Sequence, residues 1–95
     1  MRIKVDYLGH VKDIVGVKDE EIEMQEKVTI RDLLDMLSAK HGNRFKKAVY
    51  ESGCSDLRTN YIATVNGQLL NQLEGINTKL KDQDEVKIMP IVSGG

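Results

Sequence analysis

Apolar and polar residues alternate from Arg2 to Leu8, with Ile3, Val5 and Tyr7 on one face and Arg2, Lys4 and Asp6 on the other. Period two with β-branched residues predicts a half-buried strand, ended by Gly9. Val11, Ile14 and Val15 then fall at helical spacing before Gly16, predicting a short helix with a glycine stop. Glu20 to Gln25 alternates again: Ile22 and Met24 point one way, Glu21, Glu23 and Gln25 the other. Ile30, Leu33, Leu34 and Leu37 build one apolar stripe, the clearest helical signal in the chain. Thr29 is placed to cap that helix, with Asp32 three residues on, and Val28 and Leu33 occupy the positions of a hydrophobic staple. Gly42 after Lys40 and His41 supplies the stop, so a helix is predicted over residues 30–41.

Residues 43–60 read as a mobile loop insertion, with Phe45, Ala48 and Val49 able to form one further helical turn. A strand resumes from Tyr61 to Val65, and Asn66-Gly67 is a strong hairpin signal leading to a short return strand over Gln68 to Asn71. Leu73, Ile76 and Leu80 anchor an irregular stretch. A polar turn at Asp82 to Glu85 precedes a last strand, Val86 to Val92. One long helix with one striped face can cover one face of a mixed sheet of four to five strands. The expected fold class is therefore a two-layer α+β arrangement.

Composition narrows the function classes. Ninety-five residues suit one small domain. The chain is 40% hydrophobic, with 14 basic against 15 acidic residues and a net charge of −1. That balance argues against disorder. It also argues against a nucleic-acid partner, which calls for a basic excess. No apolar run reaches the roughly 18 residues of a membrane span, and the N-terminus lacks a signal-peptide core, so no membrane partner is expected. Cys54 is the single cysteine, which excludes an intrachain disulfide and favours a cytoplasmic location.

Most conventional chemistry is missing. His10, His41 and Cys54 lack the paired spacing of a metal site, so no metal is expected. Cys54 has no adjacent base or cation to activate it. No glycine-rich loop is present to cradle a phosphate. Arg44, Lys46 and Lys47 read as a solvated helical face. Glu20, Glu21 and Glu23 read as an acidic strand face that discourages edge pairing, or else as a docking surface for a basic partner.

The chain end is more specific. Val86 and Ile88 would face the helix, leaving Met89 and Ile91 exposed on the opposite side. With Val92 they form a candidate partner-binding strip. Pro90 removes a backbone donor and marks where pairing ends. At a glycine usage of about 7%, a terminal pair such as Gly94-Gly95 arises by chance in roughly one chain in 200. Such a tail can thread a narrow channel, where a Cβ would block close approach. The carboxylate of Gly95 can attack the α-phosphate of ATP if an enzyme holds both. A single domain over residues 1–92 is expected, with Ser93, Gly94 and Gly95 as a flexible tail threaded into the partner.

The run DQDEVKIMPIVSGG, the capped helix TIRDLLDML and the strand-turn YIATVNGQLL together resemble the MoaD family, the small subunit of molybdopterin synthase. GHVKDIVG and LEGINTKLKDQDEV fit in order and spacing, and the terminal PxVSGG is the specific element. The chain is also similar, more distantly, to the thiamin sulfur carrier ThiS and to ubiquitin-like modifiers. Gln83 stands where the family commonly has glycine, and Ile91 replaces the second proline of a usual pair. The resemblance implies a ubiquitin-like β-grasp fold and a sulfur carrier without an active site of its own. It further implies that an E1-like enzyme adenylates Gly95 using ATP and Mg²⁺, with no cofactor bound to the carrier itself. The resulting thiocarboxylate would deliver sulfur within the molybdopterin synthase large subunit. Two alternatives stay open: a ubiquitin-like modifier joined through Gly95 to target-protein lysines, and a β-grasp interaction module whose glycines are incidental.

Overall fold

A computed structural model describes residues 1–51, 56–57 and 61–91 of the chain. In chain order the elements are β1 (Arg2–Tyr7), α1 (His10–Val15), β2 (Asp19–Glu23), α2 (Ile30–His41) and α3 (Asn43–Val49). These are followed by β3 (Tyr50–Glu51), β4 (Asp56–Leu57), β5 (Tyr61–Val65), β6 (Gln68–Leu69) and β7 (Glu85–Pro90). Two single 3-10 turns, Leu70–Gln72 and Gly75–Asn77, lie between β6 and β7.

A five-stranded sheet runs in the order β2-β1-β7-β5-β6. β7 is central, parallel to β1 and antiparallel to β5. The alternation read in β1 is realised: Ile3, Val5 and Tyr7 are buried, while Arg2 and Lys4 are exposed. α2 lies across the inner face of the sheet and buries Ile30, Leu33, Leu34 and Leu37, each fully burying side chain worth roughly 1.5–3 kcal/mol. Thr29 accepts from the Asp32 backbone N–H while the Asp32 carboxylate accepts from the Thr29 backbone N–H, completing the capping box. The start of α2 is stitched to the irregular stretch by Ile30 N–H to Thr78 O (3.0 Å) and Leu80 N–H to Val28 O (2.9 Å). At the β5–β6 turn Asn66 and Gly67 both take positive φ, as a tight hairpin demands.

The structure departs from the sequence reading in several places, among them the return strand, which ends at Leu69 instead of Asn71. Residues 43–49 form a helix, not a loop, because Phe45 and Val49 lie one turn apart and are both fully buried. Gly42 has positive φ but extended ψ, so it turns the chain directly from α2 into α3. Glu20 does not belong to the acidic outer face with Glu21 and Glu23; it pairs with Val5 and points inward. β7 stops at Pro90, one residue before Ile91, and not at Val92 as the sequence reading had it. Cys54, Ser93, Gly94, Gly95 and Val92 lie outside the described residues.

Candidate functional site

β7 carries the chain along the middle of the sheet and delivers it, at Pro90, to the edge of the molecule. Val86 and Ile88 are buried under α2, as alternation required. Met89 points to the opposite face and is half-buried there, beside its β5 partner Ile62. Ile91 follows Pro90 and is 48% exposed. On the same uncovered face Leu69 pairs with Thr64, which in turn pairs with Lys87. Thr64 is buried, and its hydroxyl has no hydrogen-bond partner. Ile62, Thr64, Leu69 and Met89 thus form an apolar area on the open side of the sheet.

The other half of that open face is charged. Arg2 contacts Glu21 at 3.4 Å and Glu23 at 3.1 Å, and Lys87 lies 3.8 Å from Glu85. These pairs are exposed and contribute little to stability. Among the described residues, the apolar area beside the chain end is thus set apart from these ion pairs on the open face.

The root of the chain end is closely held. Leu8 N–H donates to Ile88 O at 3.0 Å, which brings the β1–α1 corner against the end of β7. Gly9 sits there at φ +60°, and a Cβ on it would stand 2.9 Å from Pro90 Cγ and 3.1 Å from Pro90 Cδ. On the other side Tyr61 pairs with Pro90. His10 Nε2 is hydrogen-bonded to the Tyr61 hydroxyl, with the two rings edge to face at 5.4 Å. The sequence reading placed Gly9 only as a strand end and gave His10 no role beyond the absence of metal-site spacing. No local signal marks either contact, because both arise only when β1 pairs in parallel with β7 and brings the corner to Pro90.

His41 has a structural role. It donates with Tyr7 to Glu20 Oε2, at 2.7 and 2.6 Å, while Lys40 holds Oε1. Burial and the Glu20 carboxylate together push the Tyr7 hydroxyl well above the usual tyrosine range. Among the described residues no group of His, Cys, Asp or Glu is arranged to hold a metal, and no helix is long and apolar enough to cross a membrane.

The mixed five-stranded sheet with its long crossing helix is the ubiquitin-like β-grasp. The ThiS family profile matches residues 5–95, and the chain belongs to that family. A protein of Archaeoglobus fulgidus, provisionally named a sulfur carrier, is 35% identical over 77 residues, covering 81% of this chain and 84% of its own. Small archaeal modifier protein 3 of Haloferax volcanii is 25% identical over 95 residues, the full length of both chains. A Pyrococcus furiosus structure, provisionally named molybdopterin converting factor subunit 1, superposes with a TM-score of 0.75. It is 27% identical, and the match covers 97% of this chain and 99% of that one.

Proposed function

We propose that this chain carries sulfur on the carboxyl group of Gly95 and donates it in molybdopterin formation. The observation that carries this reading is the family match running through Gly95, together with a relative named for sulfur carriage. The Pyrococcus furiosus neighbour's name supports the molybdopterin branch.

The chemistry balances with reagents of ordinary class. The Gly95 carboxylate attacks the α-phosphate of ATP, held with Mg²⁺ by an E1-like enzyme, and pyrophosphate leaves. A persulfide sulfur then attacks the acyl carbon and AMP leaves. A thiol cleaves the resulting acyl disulfide, releasing the thiocarboxylate. ATP and Mg²⁺ belong to the activating enzyme and not to the carrier. Ser93 and Gly94 thread the enzyme's channel, while Met89, Ile91 and Val92 contact the partner. The thiocarboxylate then delivers its sulfur to a pterin precursor held within the molybdopterin synthase large subunit.

Intact-mass measurement after incubation with a cognate E1-like enzyme, ATP and a persulfide donor tests this. An oxygen-for-sulfur exchange at the C-terminus is expected, and deletion of Gly95 abolishes it. No adenylate and no thiocarboxylate with any cognate enzyme overturns the reading.

The modifier reading has its own support, the full-length similarity to small archaeal modifier protein 3. It shares the activation step and predicts Gly95 in isopeptide bonds to target lysines. Tryptic peptides from cells, with and without a C-terminal remnant of this chain on lysine, separate the two.

A further inference from the structure

Four residues from three separate parts of the chain meet where β7 ends. Gly9 and His10 come from the β1–α1 corner, Tyr61 from the start of β5, and Pro90 from the last position of β7. Gly9 lies against the Pro90 ring at a distance that no Cβ would tolerate. Tyr61 flanks Pro90 in the ladder, and His10 ties the Tyr61 hydroxyl to the corner that carries Gly9. The link spans 51 positions of sequence. Proline itself fixes φ and donates no hydrogen bond, so its direction must be set by its neighbours. Ile91, the next residue, is exposed.

We propose that Gly9, His10 and Tyr61 form a collar on Pro90 that sets the direction in which the chain leaves the sheet, and that His10 and Tyr61 are positioning residues for activation of the C-terminus. This rests on the activation step of the proposed function. Its physical basis is preorganisation. An enzyme that must thread a chain end into a channel binds it more tightly when the root already points the right way, because less freedom is lost on binding. A collar of this kind acts on binding of the carrier and not on the chemical step. Losing it raises KM and leaves kcat unchanged.

The experiment uses the full chain with Tyr61→Phe, His10→Ala, His10→Gln and the Tyr61→Phe/His10→Ala pair. ATP–pyrophosphate exchange by a cognate E1-like enzyme is measured as a function of carrier concentration, well below each variant's unfolding temperature. Tyr61→Phe and His10→Ala are each expected to raise KM about three- to tenfold with kcat unchanged. The pair should cost no more than either single change, because both remove one hydrogen bond. His10→Gln, which can still bond the tyrosine hydroxyl, restores KM toward wild type. A residue that mattered only for stability would move the unfolding temperature and not KM.

Backbone ¹⁵N relaxation on the free chain gives a second readout that needs no enzyme. The order parameter of the Ile91 amide is expected to fall in Tyr61→Phe and His10→Ala. Wild-type KM in both single variants overturns the proposal, as does fully additive loss in the pair. If the wild-type chain is not activated at all, the sulfur-carrier reading fails; the collar as a constraint on Pro90 is then judged by Ile91 alone, and an unchanged order parameter overturns it.

Discussion

The Tyr7 hydroxyl donates to Glu20 Oε2 at 2.6 Å, and the same oxygen accepts from His41 Nε2 at 2.7 Å, so one inward carboxylate joins β1, β2 and the C-terminus of α2. Burial pushes the Glu20 pKa up, but the hydrogen bonds from Lys40, Tyr7 and His41 outweigh it and hold it below its ordinary value of 4.5. A carboxyl with a depressed folded pKa contributes stability above its unfolded pKa and loses that contribution as pH falls through the folded one. Glu20→Gln should therefore cost about 1–3 kcal/mol at neutral pH, the worth of charge-assisted bonds to a largely buried group. The gap between variant and wild type should narrow as pH falls below 4.5 and close in stronger acid. Urea midpoints across that range measure it; a gap independent of pH contradicts the assignment.

Gln83 occupies a polar turn with φ +70°, a backbone conformation that costs a side-chain-bearing residue roughly 1 kcal/mol or more. The turn cannot relax, because Gln83 N–H donates to Arg2 O at 2.8 Å and the next residue, Asp84, is buried with its carboxylate holding Asn66 Nδ2 and Lys81 N–H. The family resemblance places glycine at this position. Gln83→Gly should remove the strain and stabilise the chain by about 0.5–1 kcal/mol, after allowing for the added freedom of glycine when unfolded. A thermal unfolding scan showing a lower midpoint would contradict this.

How much of this was legible depends on how dense the local signal is. α2 could be read to the residue because an apolar stripe, a capping box and a glycine stop all agree. α3 has two buried anchors, Phe45 and Val49, among Asn, Arg and Lys, which is too little periodicity to separate a short helix from a loop. The inward turn of Glu20 was hidden because Asp19, Glu20 and Glu21 are all acidic, so charge does not reveal the alternation that the register with Val5 imposes. At the chain end, the outward face of Met89 was readable from period two, but Met89 is half-buried rather than exposed, and Ile91, though exposed, lies beyond the end of the strand. The contacts of Gly9 and His10 with Pro90 and Tyr61 were not readable. They depend on the parallel pairing of β1 with β7, which no short segment encodes.

The helical assignment of residues 43–49 has a direct energetic consequence. Phe45 is fully buried and stacks at a tilt beside His41, with ring centroids 6.1 Å apart. In a loop insertion Phe45→Ala would cost almost nothing. In a helix docked on α1 and α2 it should cost about 3–5 kcal/mol, the usual range for emptying a buried phenylalanine site. Chemical denaturation distinguishes the two outcomes clearly.

Met89 and Ile62 pair across β7 and β5 where no helix among the described residues covers them, with Leu69 beyond Thr64 on the same side. Their exposure is a standing cost unless a partner covers them, and the patch adjoins the residue from which the chain end departs. Met89→Asp should leave the fold intact, because the side chain already faces away from the buried core. The same change places a charge at the centre of the proposed contact, where it must be desolvated on binding. Affinity for the activating enzyme should fall at least about tenfold, as expected for disrupting a central apolar contact. Val17→Ser provides the control: Val17 is 46% exposed but lies in the link between α1 and β2, away from this face. It should bind as wild type does. Titration calorimetry of both variants decides the matter: equal affinities would remove Met89 from the partner surface, while a selective loss in Met89→Asp places the open apolar face, together with the chain end, in the recognition step.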